Sequence, residues 1–367
     1  MNKKFSYGVV IIFCITAIFI GKALRYTVLY ESLVEQGSGH QLIKMINKGD
    51  TKFKLTTKTG ENEQDAGANA VFIYDKINIF NIKTYLGFEV YLTIIFNIII
   101  FFILFKIKKK YTLYELVYLL FFIGVLNIWD FCLAKEPVQM LYFIAIFLIL
   151  INNKIPISSK YLLCFLVYLI SSITYRNYYI TMAIFFVMLY LLYELLLKKI
   201  EKFKFMDFIK ILLIMFSSYF IVIFIMKTFS ISNYNKLLWV RLNHSVATTG
   251  INAFFNSTNT FVFTFEIILI IFRMLFPIEI LKHGISYFLY FLFQCLLSKS
   301  IINNLIIINK ICETKKIALF VTCSFLLGSA LFEPDFGSWV RHEAVLFPLF
   351  LILNNFLDRE VQSNDKI

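Results

Sequence analysis

The segment 333–343 concentrates more chemically capable side chains than any other stretch of the chain. It contains three acids, an arginine, a histidine, a tryptophan and a glycine. Arg341 can hold a phosphate or a carboxylate through two parallel hydrogen bonds, and His342 can titrate near neutral pH. Acids beside that histidine could orient it or accept a proton, so Glu333 and Asp335 join it as candidate catalytic residues. A salt-bridged turn that satisfies its own charges is the alternative interpretation.

Three further groups of charged side chains abut apolar stretches. An ionised side chain at the centre of a bilayer costs about 2.5–3.5 kcal/mol on insertion scales, so each group needs a partner, a wet cavity or a function. The groups are Asp130 with Lys135, Glu136 and Pro137; Arg176 among Tyr175, Tyr178 and Tyr179; and Arg241 and His244 with Arg273 and Glu279.

The first two groups suit contacts with a sugar phosphate. Lys135 could bind a phosphate and Glu136 could accept a hydroxyl proton, although a capped turn with a local ion pair explains the same residues. Arg176 lies among tyrosines, which suits sugar stacking combined with a phosphate contact, while tyrosines also belong in ordinary interfacial belts. Arg176, Lys135 and Tyr178 are therefore candidate substrate-binding residues. Glu136 joins the candidate catalytic residues.

The third group lies beside a short sequence that occurs twice. Trp-Val-Arg stands at 239–241 and again at 339–341. Arg273 interrupts an apolar run and needs an anion, which either Glu279 or a substrate phosphate would supply. The two tryptophans could carry sugar rings, and the arginines could bind phosphate. These further candidate substrate-binding residues are Arg241, Arg273, Arg341, His244, Trp239 and Trp339.

The six arginines are distributed differently from the thirty lysines. Five of them stand where predicted membrane helices meet one face, and none stands in a loop predicted for the other face. They are Arg25, Arg176, Arg241, Arg273 and Arg341. Codon bias in an AT-rich genome explains why arginine is scarce, but not where it is retained. Because arginine binds phosphate bidentately, the distribution favours a protein that handles a phosphorylated, lipid-linked substrate at that face.

The composition predicts an all-α polytopic membrane protein that forms a single membrane domain, 1–367. Hydrophobic residues make up 59% of the chain, and its mean hydropathy is +0.76. A backbone group without a partner is costly in lipid, so the apolar runs are expected to cross as helices. The predicted runs are 6–24, 86–105, 112–129, 137–152, 161–175, 179–197, 210–228, 260–276, 284–298, 317–332 and 343–356.

Lysine sets the predicted orientation. Five lysine-rich segments, which contain no arginine, fall on one side, and the positive-inside rule makes that side and the N-terminus cytoplasmic. They lie at 3–4, 106–110, 154–160, 198–210 and 299–316. Eleven crossings would put 299–316 outside, so one run near 230–281 is expected to be re-entrant or to lie along the membrane surface. That leaves ten crossings and a cytoplasmic C-terminus.

Three external loops are predicted, at 25–84, 229–259 and 333–343. The middle of the first, from Lys52 to Ala70, is polar and predicts a mobile excursion, flanked by helices along the membrane surface. Whether its acids Asp65 and Asp75 take part in catalysis is left open. No HExxH, P-loop, GxGxxG or GxSxG sequence occurs, and no metal or other cofactor is predicted. The net charge of +13 indicates topology and anionic lipid rather than a nucleic-acid partner.

The chain resembles the Wzy-type and EpsG-like polymerases of bacterial capsule, O-antigen and exopolysaccharide pathways. The resemblance covers most of the chain as a hydropathy pattern, and at residue level it involves Lys135-Glu136-Pro137, 175–179 and 333–343. It implies a polymerase that joins oligosaccharide repeat units carried on undecaprenyl pyrophosphate, with the external arginines on the pyrophosphate. It also implies a flippase and a chain-length regulator as partners. The tandem arginine-rich loops of some members appear here only as single arginines.

Two other function classes remain open. A related membrane glycosyltransferase or ligase would use a polyprenyl-linked sugar, but its early external acidic pair is only weakly available. A flippase or exporter of lipid-linked oligosaccharide should show two related halves and charges spread through its helices, whereas this chain gathers its charges at one rim.

Overall fold

The computed structural model describes residues 4–29, 39–49, 62–107, 110–198, 204–228, 250–255, 259–283, 287–332 and 335–356. Within these ranges the chain forms fourteen α-helices and one two-stranded ribbon. The helices are α1 (Tyr7–Tyr26), α2 (Gly39–Asn47), α3 (Asn62–Ile77), α4 (Tyr85–Ile107), α5 (Leu113–Val125), α6 (Glu136–Ile151), α7 (Ile157–Thr174), α8 (Tyr179–Leu192), α9 (Phe205–Thr228), α10 (Thr260–Leu275), α11 (Phe288–Ile306), α12 (Glu313–Phe332), α13 (Phe336–Ala344) and α14 (Phe347–Leu353). The strands are β1 (Lys4–Ser6) and β2 (Lys110–Thr112).

The protein is an all-α polytopic membrane protein, as predicted. Eight helices of the described ranges are long and apolar enough to cross a bilayer, and a bent pair can supply a ninth span. The eight correspond to eight of the eleven predicted runs. α6 and α10 have 16 residues each, which at a 1.5 Å rise span about 24 Å and fall short of the hydrocarbon core. Eight or nine of the ten or eleven predicted crossings are therefore present as long spans in the described ranges.

The last predicted crossing is broken in two. α13 and α14 meet at 69°, and Pro348 lies in the first turn of α14, where a missing N–H costs no helical hydrogen bond. α13 also forms where a connecting loop was expected at 333–343. The carboxylate of Asp335 caps it by accepting a hydrogen bond from the backbone N–H of Ser338 at 2.8 Å.

One end of the bundle gathers the lysine-rich segments. β1 pairs with β2 in antiparallel register, which brings the N-terminal segment to the start of α5. The ammonium of Lys160 donates to the backbone oxygen of Leu150 at 2.8 Å, and Lys315 donates to the side chain of Asn355 at 2.8 Å. We call this the lysine end. The opposite end, where α1 and α7 finish and α6 begins, is the arginine end.

Helix α3 packs over the arginine end. Its Asn69 donates to the backbone oxygen of Thr174 at 2.6 Å, and its Tyr74 hydroxyl donates to the backbone oxygen of Ala134. α3 begins at Asn62, so the last part of the stretch predicted to be a mobile excursion is helical. These contacts tie α3 to the turns that precede α6 and α8.

Helix α12 is the central helix of the bundle. Almost all of it is buried, and it packs most closely against α8, where Gly328 faces the side chain of Met182. Because only a short connection joins α12 to α13, the buried helix α12 fixes the position of the candidate residues of α13 at the arginine end.

Candidate functional site

Glu136 is the first residue of α6, ahead of the predicted crossing at 137–152, and is 2% exposed. Burial alone would raise the pKa of its carboxyl. Four basic neighbours outweigh burial and lower this pKa to about 2. In order of their effect these are Arg341, Lys135, His342 and Arg176. The Glu136 side chain is therefore anionic throughout the physiological range, and so weak a base is a poor acceptor for a hydroxyl proton.

The four neighbours of Glu136 come from three of the predicted groups. α6 contributes its N-cap residue Lys135, the α7–α8 turn contributes Arg176, and α13 contributes Arg341 and His342. The structure thus brings together residues more than two hundred positions apart in sequence. We call Lys135, Glu136, Arg176, Arg341 and His342 the cationic cluster.

Two contacts fix the relative positions of these elements. The Tyr175 hydroxyl donates to the backbone oxygen of Lys135 at 3.1 Å, which joins the α7–α8 turn to α6. The Nδ1 atom of His342 lies 2.8 Å from the Oε1 atom of Gln139, which joins α13 to α6. Both contacts lie in buried or half-buried surroundings, so the cluster is held by the bundle rather than by mobile loops.

Arg176 is held among aromatic rings. Its guanidinium lies 5.5 Å from the ring centroid of Tyr175 and 5.3 Å from that of Tyr178, and it donates to the Tyr178 hydroxyl. The Tyr178 ring in turn stacks on Phe332 of α12, with centroids 5.0 Å apart. The predicted pairing of an arginine with a tyrosine belt is therefore present.

Arg341 and Asp335 have defined local partners. Arg341 donates to the hydroxyl of Ser338 at 3.2 Å and reaches the backbone oxygen of Gly337 at 3.4 Å. Asp335 uses one carboxylate oxygen to cap α13, and its backbone pairs with Gly250. This capping role makes Asp335 a weaker candidate for proton transfer than the sequence indicates.

Trp339 faces away from water. Its side chain is 1% exposed and lines an apolar cavity of about 130 Å³. The rest of the lining comes from aliphatic, aromatic and sulfur-containing side chains of α8 to α12, including Leu189, Met215, Ile271, Leu305 and Phe320. The residue predicted to carry a sugar ring thus packs against a cavity suited to an aliphatic chain.

The third predicted group, with Arg241 and Arg273, is settled only in part. Arg273 makes a two-point ion pair with Glu279, with nitrogen–oxygen distances of 2.8 and 2.7 Å, and also donates to the backbone oxygen of Asn252. Glu279 or a substrate phosphate was expected as the anion beside Arg273, and in the structure that anion is the carboxylate of Glu279. The candidates Arg241, His244, Trp239 and Glu333 lie outside the described residues.

Arg25 also has an internal partner. It forms an ion pair with Glu89 at 2.6 Å, and Lys22 contacts the same carboxylate at 3.2 Å. Arg25 further donates to the backbone oxygen of Ile128 at 2.8 Å. Arg25 and Arg273 thus both have an acid of the protein as their partner, whereas Arg176 and Arg341 belong to the cationic cluster.

The sequence interpretation missed two residues of this region. Gln139, which holds His342, lies three positions after Glu136 and therefore on the same face of α6. Asp130 was named with its group but not as a site residue; it ends a π-helical turn, Leu126–Asp130, and is completely buried. Neither carboxylate oxygen of Asp130 has a hydrogen-bond partner among the described residues.

The electrostatics of the cluster favour an anionic ligand. Among the described residues, the basic side chains of Arg176, Arg341 and Lys135 act on the carboxylate of Glu136, and the carboxyl groups of Asp130 and Asp335 lie near Tyr290 together with Arg341. Within the described ranges no group of three or more His, Cys, Asp or Glu side chains could hold a metal ion. A phosphate or diphosphate fits this balance.

Comparisons of the chain with protein-family models, with curated proteins and with solved structures give no match. The resemblance to Wzy-type and EpsG-like polymerases therefore stays a prediction from the sequence.

Proposed function

We propose that this chain is a membrane glycosyltransferase-type polymerase that joins undecaprenyl-pyrophosphate-linked oligosaccharide repeat units at the outer face of the cytoplasmic membrane. The observation that carries the proposal is the cationic cluster. Three separate segments bring their positive charges to one buried carboxylate, at the end of the bundle opposite the lysines. Such a concentration of charge is costly at a membrane protein's helix ends unless it serves a ligand.

The cluster suits the leaving group of this reaction. A sugar bound to a diphosphate is already activated, so its departure needs neutralisation of negative charge more than protonation. Arg341 and Arg176, with Lys135, would hold the diphosphate, and the fixed position of their elements reduces the reorganisation needed at the moment of reaction. The apolar cavity beside Trp339 supports the same ligand, because it could accommodate part of a polyprenyl chain.

The reaction requires one bond to form and one to break. The acceptor hydroxyl oxygen attacks the anomeric carbon of the donor, the bond from that carbon to the diphosphate oxygen breaks, and the diphosphate leaves with the electron pair. The hydroxyl proton needs an acceptor. Of the predicted catalytic residues that the structure describes, Asp335 caps a helix and Glu136 is held anionic. His342 is therefore the candidate acceptor, and Gln139 fixes its orientation.

The proposal is tested with Arg341→Lys and His342→Ala in cells that carry the complete pathway. Loss of the guanidinium fork or of the imidazole should leave single repeat units on the lipid and little polymer, at normal protein level. The control is Lys198→Met, which removes an exposed ion pair with Glu194 at the lysine end and should leave polymer length unchanged.

Other outcomes identify the alternative functions. Accumulation of repeat units on the inner leaflet would indicate a flippase or exporter. Loss of a single transferred sugar, with polymerisation intact, would indicate a membrane glycosyltransferase or ligase. Normal polymer length in both variants would show that α13 is not part of the functional site.

A further inference from the structure

Asp130 is the unexplained carboxyl group at the arginine end. It has no exposed surface, and both of its oxygens are without a hydrogen-bond partner among the described residues. Buried polar groups in folded proteins are almost always hydrogen-bonded, and each exception calls for an explanation. Two other acids of the chain illustrate the rule, because Glu89 is paired with Arg25 and Glu279 with Arg273.

The position of Asp130 is built by an irregular helix end. α5 continues into the π-helical turn Leu126–Asp130, and turns of this kind occur often at functional sites. The backbone N–H of Phe131 closes the turn on the oxygen of Leu126 at 2.7 Å. The carboxyl group is thereby carried by a closed, hydrogen-bonded turn.

The surroundings of Asp130 belong to the cationic cluster. The charges of Glu136, Arg341 and Arg25 act on its carboxyl group, but it forms no ion pair within the described part of the chain. Two arginines in the neighbourhood disfavour binding of a metal cation at this carboxylate. Neutral hydrogen-bond donors are not repelled by the arginines, and they are therefore the groups best suited to bind the carboxyl group of Asp130.

Aromatic rings adjoin the carboxyl group. Trp129, the preceding residue, packs edge-on against Tyr290 of α11 with centroids 4.1 Å apart. Tyr290 also lies close enough to Asp130 and Arg341 for an electrostatic interaction. A carboxyl group can accept hydrogen bonds from sugar hydroxyl groups, and aromatic rings can pack against the C–H groups of a sugar. The two together suit the binding of a sugar ring.

We propose that Asp130 is the anchor of a sugar-binding subsite, in which its two carboxylate oxygens accept hydrogen bonds from hydroxyl groups of the acceptor sugar. The subsite rests on the proposed function, because that function supplies the sugar beside Arg341. Binding of the acceptor here would place its ring next to the diphosphate held by the cationic cluster. The subsite therefore sets acceptor affinity and position rather than proton transfer.

The test measures binding of sugar without the lipid. The probe is the oligosaccharide that mild acid releases from the host's lipid-linked repeat unit, titrated calorimetrically into the purified full-length protein. Asp130→Ala should weaken binding by about tenfold or more, because two hydrogen bonds to a buried carboxyl group are lost. Asp130→Asn, which keeps one acceptor oxygen and the shape of the side chain, should fall between the wild type and Asp130→Ala.

The matched control is Glu343→Gln. Glu343 is an equally buried acid with one unpartnered oxygen, but its other oxygen is bound by Gln294 at 3.3 Å. This variant should bind the oligosaccharide like the wild type. If Asp130→Ala does not fold, as judged by thermal unfolding, the isosteric Asp130→Asn decides the question.

Polymer formation is measured in parallel so that the two proposals can fail separately. Wild-type binding and normal polymer in Asp130→Ala would overturn the subsite and leave the polymerase intact. A wild-type protein that binds no oligosaccharide would also overturn the subsite, and water would then be the partner of Asp130. Sugar binding that depends on Asp130, without any polymer from the wild type, would support the subsite and overturn the polymerase.

Discussion

Gln139 and His342 are 203 positions apart in sequence, yet the Nδ1 atom of His342 lies 2.8 Å from the Oε1 atom of Gln139. The contact joins α6 to α13 and so couples the two helices that carry most of the cationic cluster. The Gln139 amide can accept a hydrogen bond through its oxygen or, after rotation, donate one through its nitrogen. The contact therefore orients the imidazole of His342 whether or not Nδ1 carries the proton. It is buried, and removing it should misplace His342 without removing any charge.

Gln139→Leu should therefore impair polymer formation while the protein level stays normal. A displacement of about 1 Å at a reacting group can lower a rate about 10²-fold, which sets the expected size of the effect. The measurement is the rate of polymer formation in membranes, compared with His342→Ala. Equal rates for Gln139→Leu and the wild type, with His342→Ala inactive, would show that this contact does not position the histidine.

Replacing Glu89 should destabilise the protein more than replacing Glu279, because the ion pair of Glu89 is buried and that of Glu279 is partly exposed. Glu89 is 1% exposed and faces both Arg25 and Lys22, so Glu89→Gln leaves buried cations without an anion and should cost about 3–5 kcal/mol. The Arg273–Glu279 pair is partly exposed, with Glu279 37% accessible, and Glu279→Gln should cost less than about 1 kcal/mol. Thermal unfolding in detergent compares the two. A larger loss for Glu279→Gln would contradict this assignment.

Gly21 and Gly8 offer a matched pair within α1. A methyl group added at Gly21 would lie 2.7 Å from the backbone oxygen of Gly124 in α5, and a backbone atom cannot move aside as a side-chain end can. Gly21→Ala should therefore push α1 from α5 and cost about 1–3 kcal/mol. Gly8→Ala meets no atom within 4 Å and should be neutral or stabilising by up to about 1 kcal/mol. Equal stabilities of the two variants would show that α1 packs on α5 less closely than described.

The helices and the chemistry of the separate groups could be predicted from the sequence. Hydropathy located the eight long apolar helices of the described ranges, because a bilayer demands such helices whatever the rest of the fold. Lys135, Glu136, Arg176 and Arg341 were each recognised because charges beside apolar runs are costly. Their convergence on one carboxylate could not be predicted, since it depends on how α6, α8 and α13 pack.

Some errors in the sequence interpretation had readable signals. Asp335 precedes Ser338 by three positions, the spacing of a helix N-cap, and Pro348 sits where a new helix begins. Those two signals predict the break at the end of the chain and the helix in place of a loop. The partner of Arg25 had no such signal, because Glu89 is 64 positions away and only the packing of α1 on α4 brings them together.

Glu136→Gln should lower stability throughout the range from pH 5 to pH 9. The folded pKa of Glu136, about 2, lies below the value of about 4.3 for an unfolded chain, so its ionised form stabilises the fold at pH values above the unfolded pKa. That contribution is lost only as the pH falls towards 2. Thermal unfolding of both proteins should show the variant to be less stable than the wild type at every pH in this range. A difference that shrinks between pH 7 and pH 5 would mean that the carboxyl group takes up a proton there, and the cationic cluster would then not hold Glu136 as an anion.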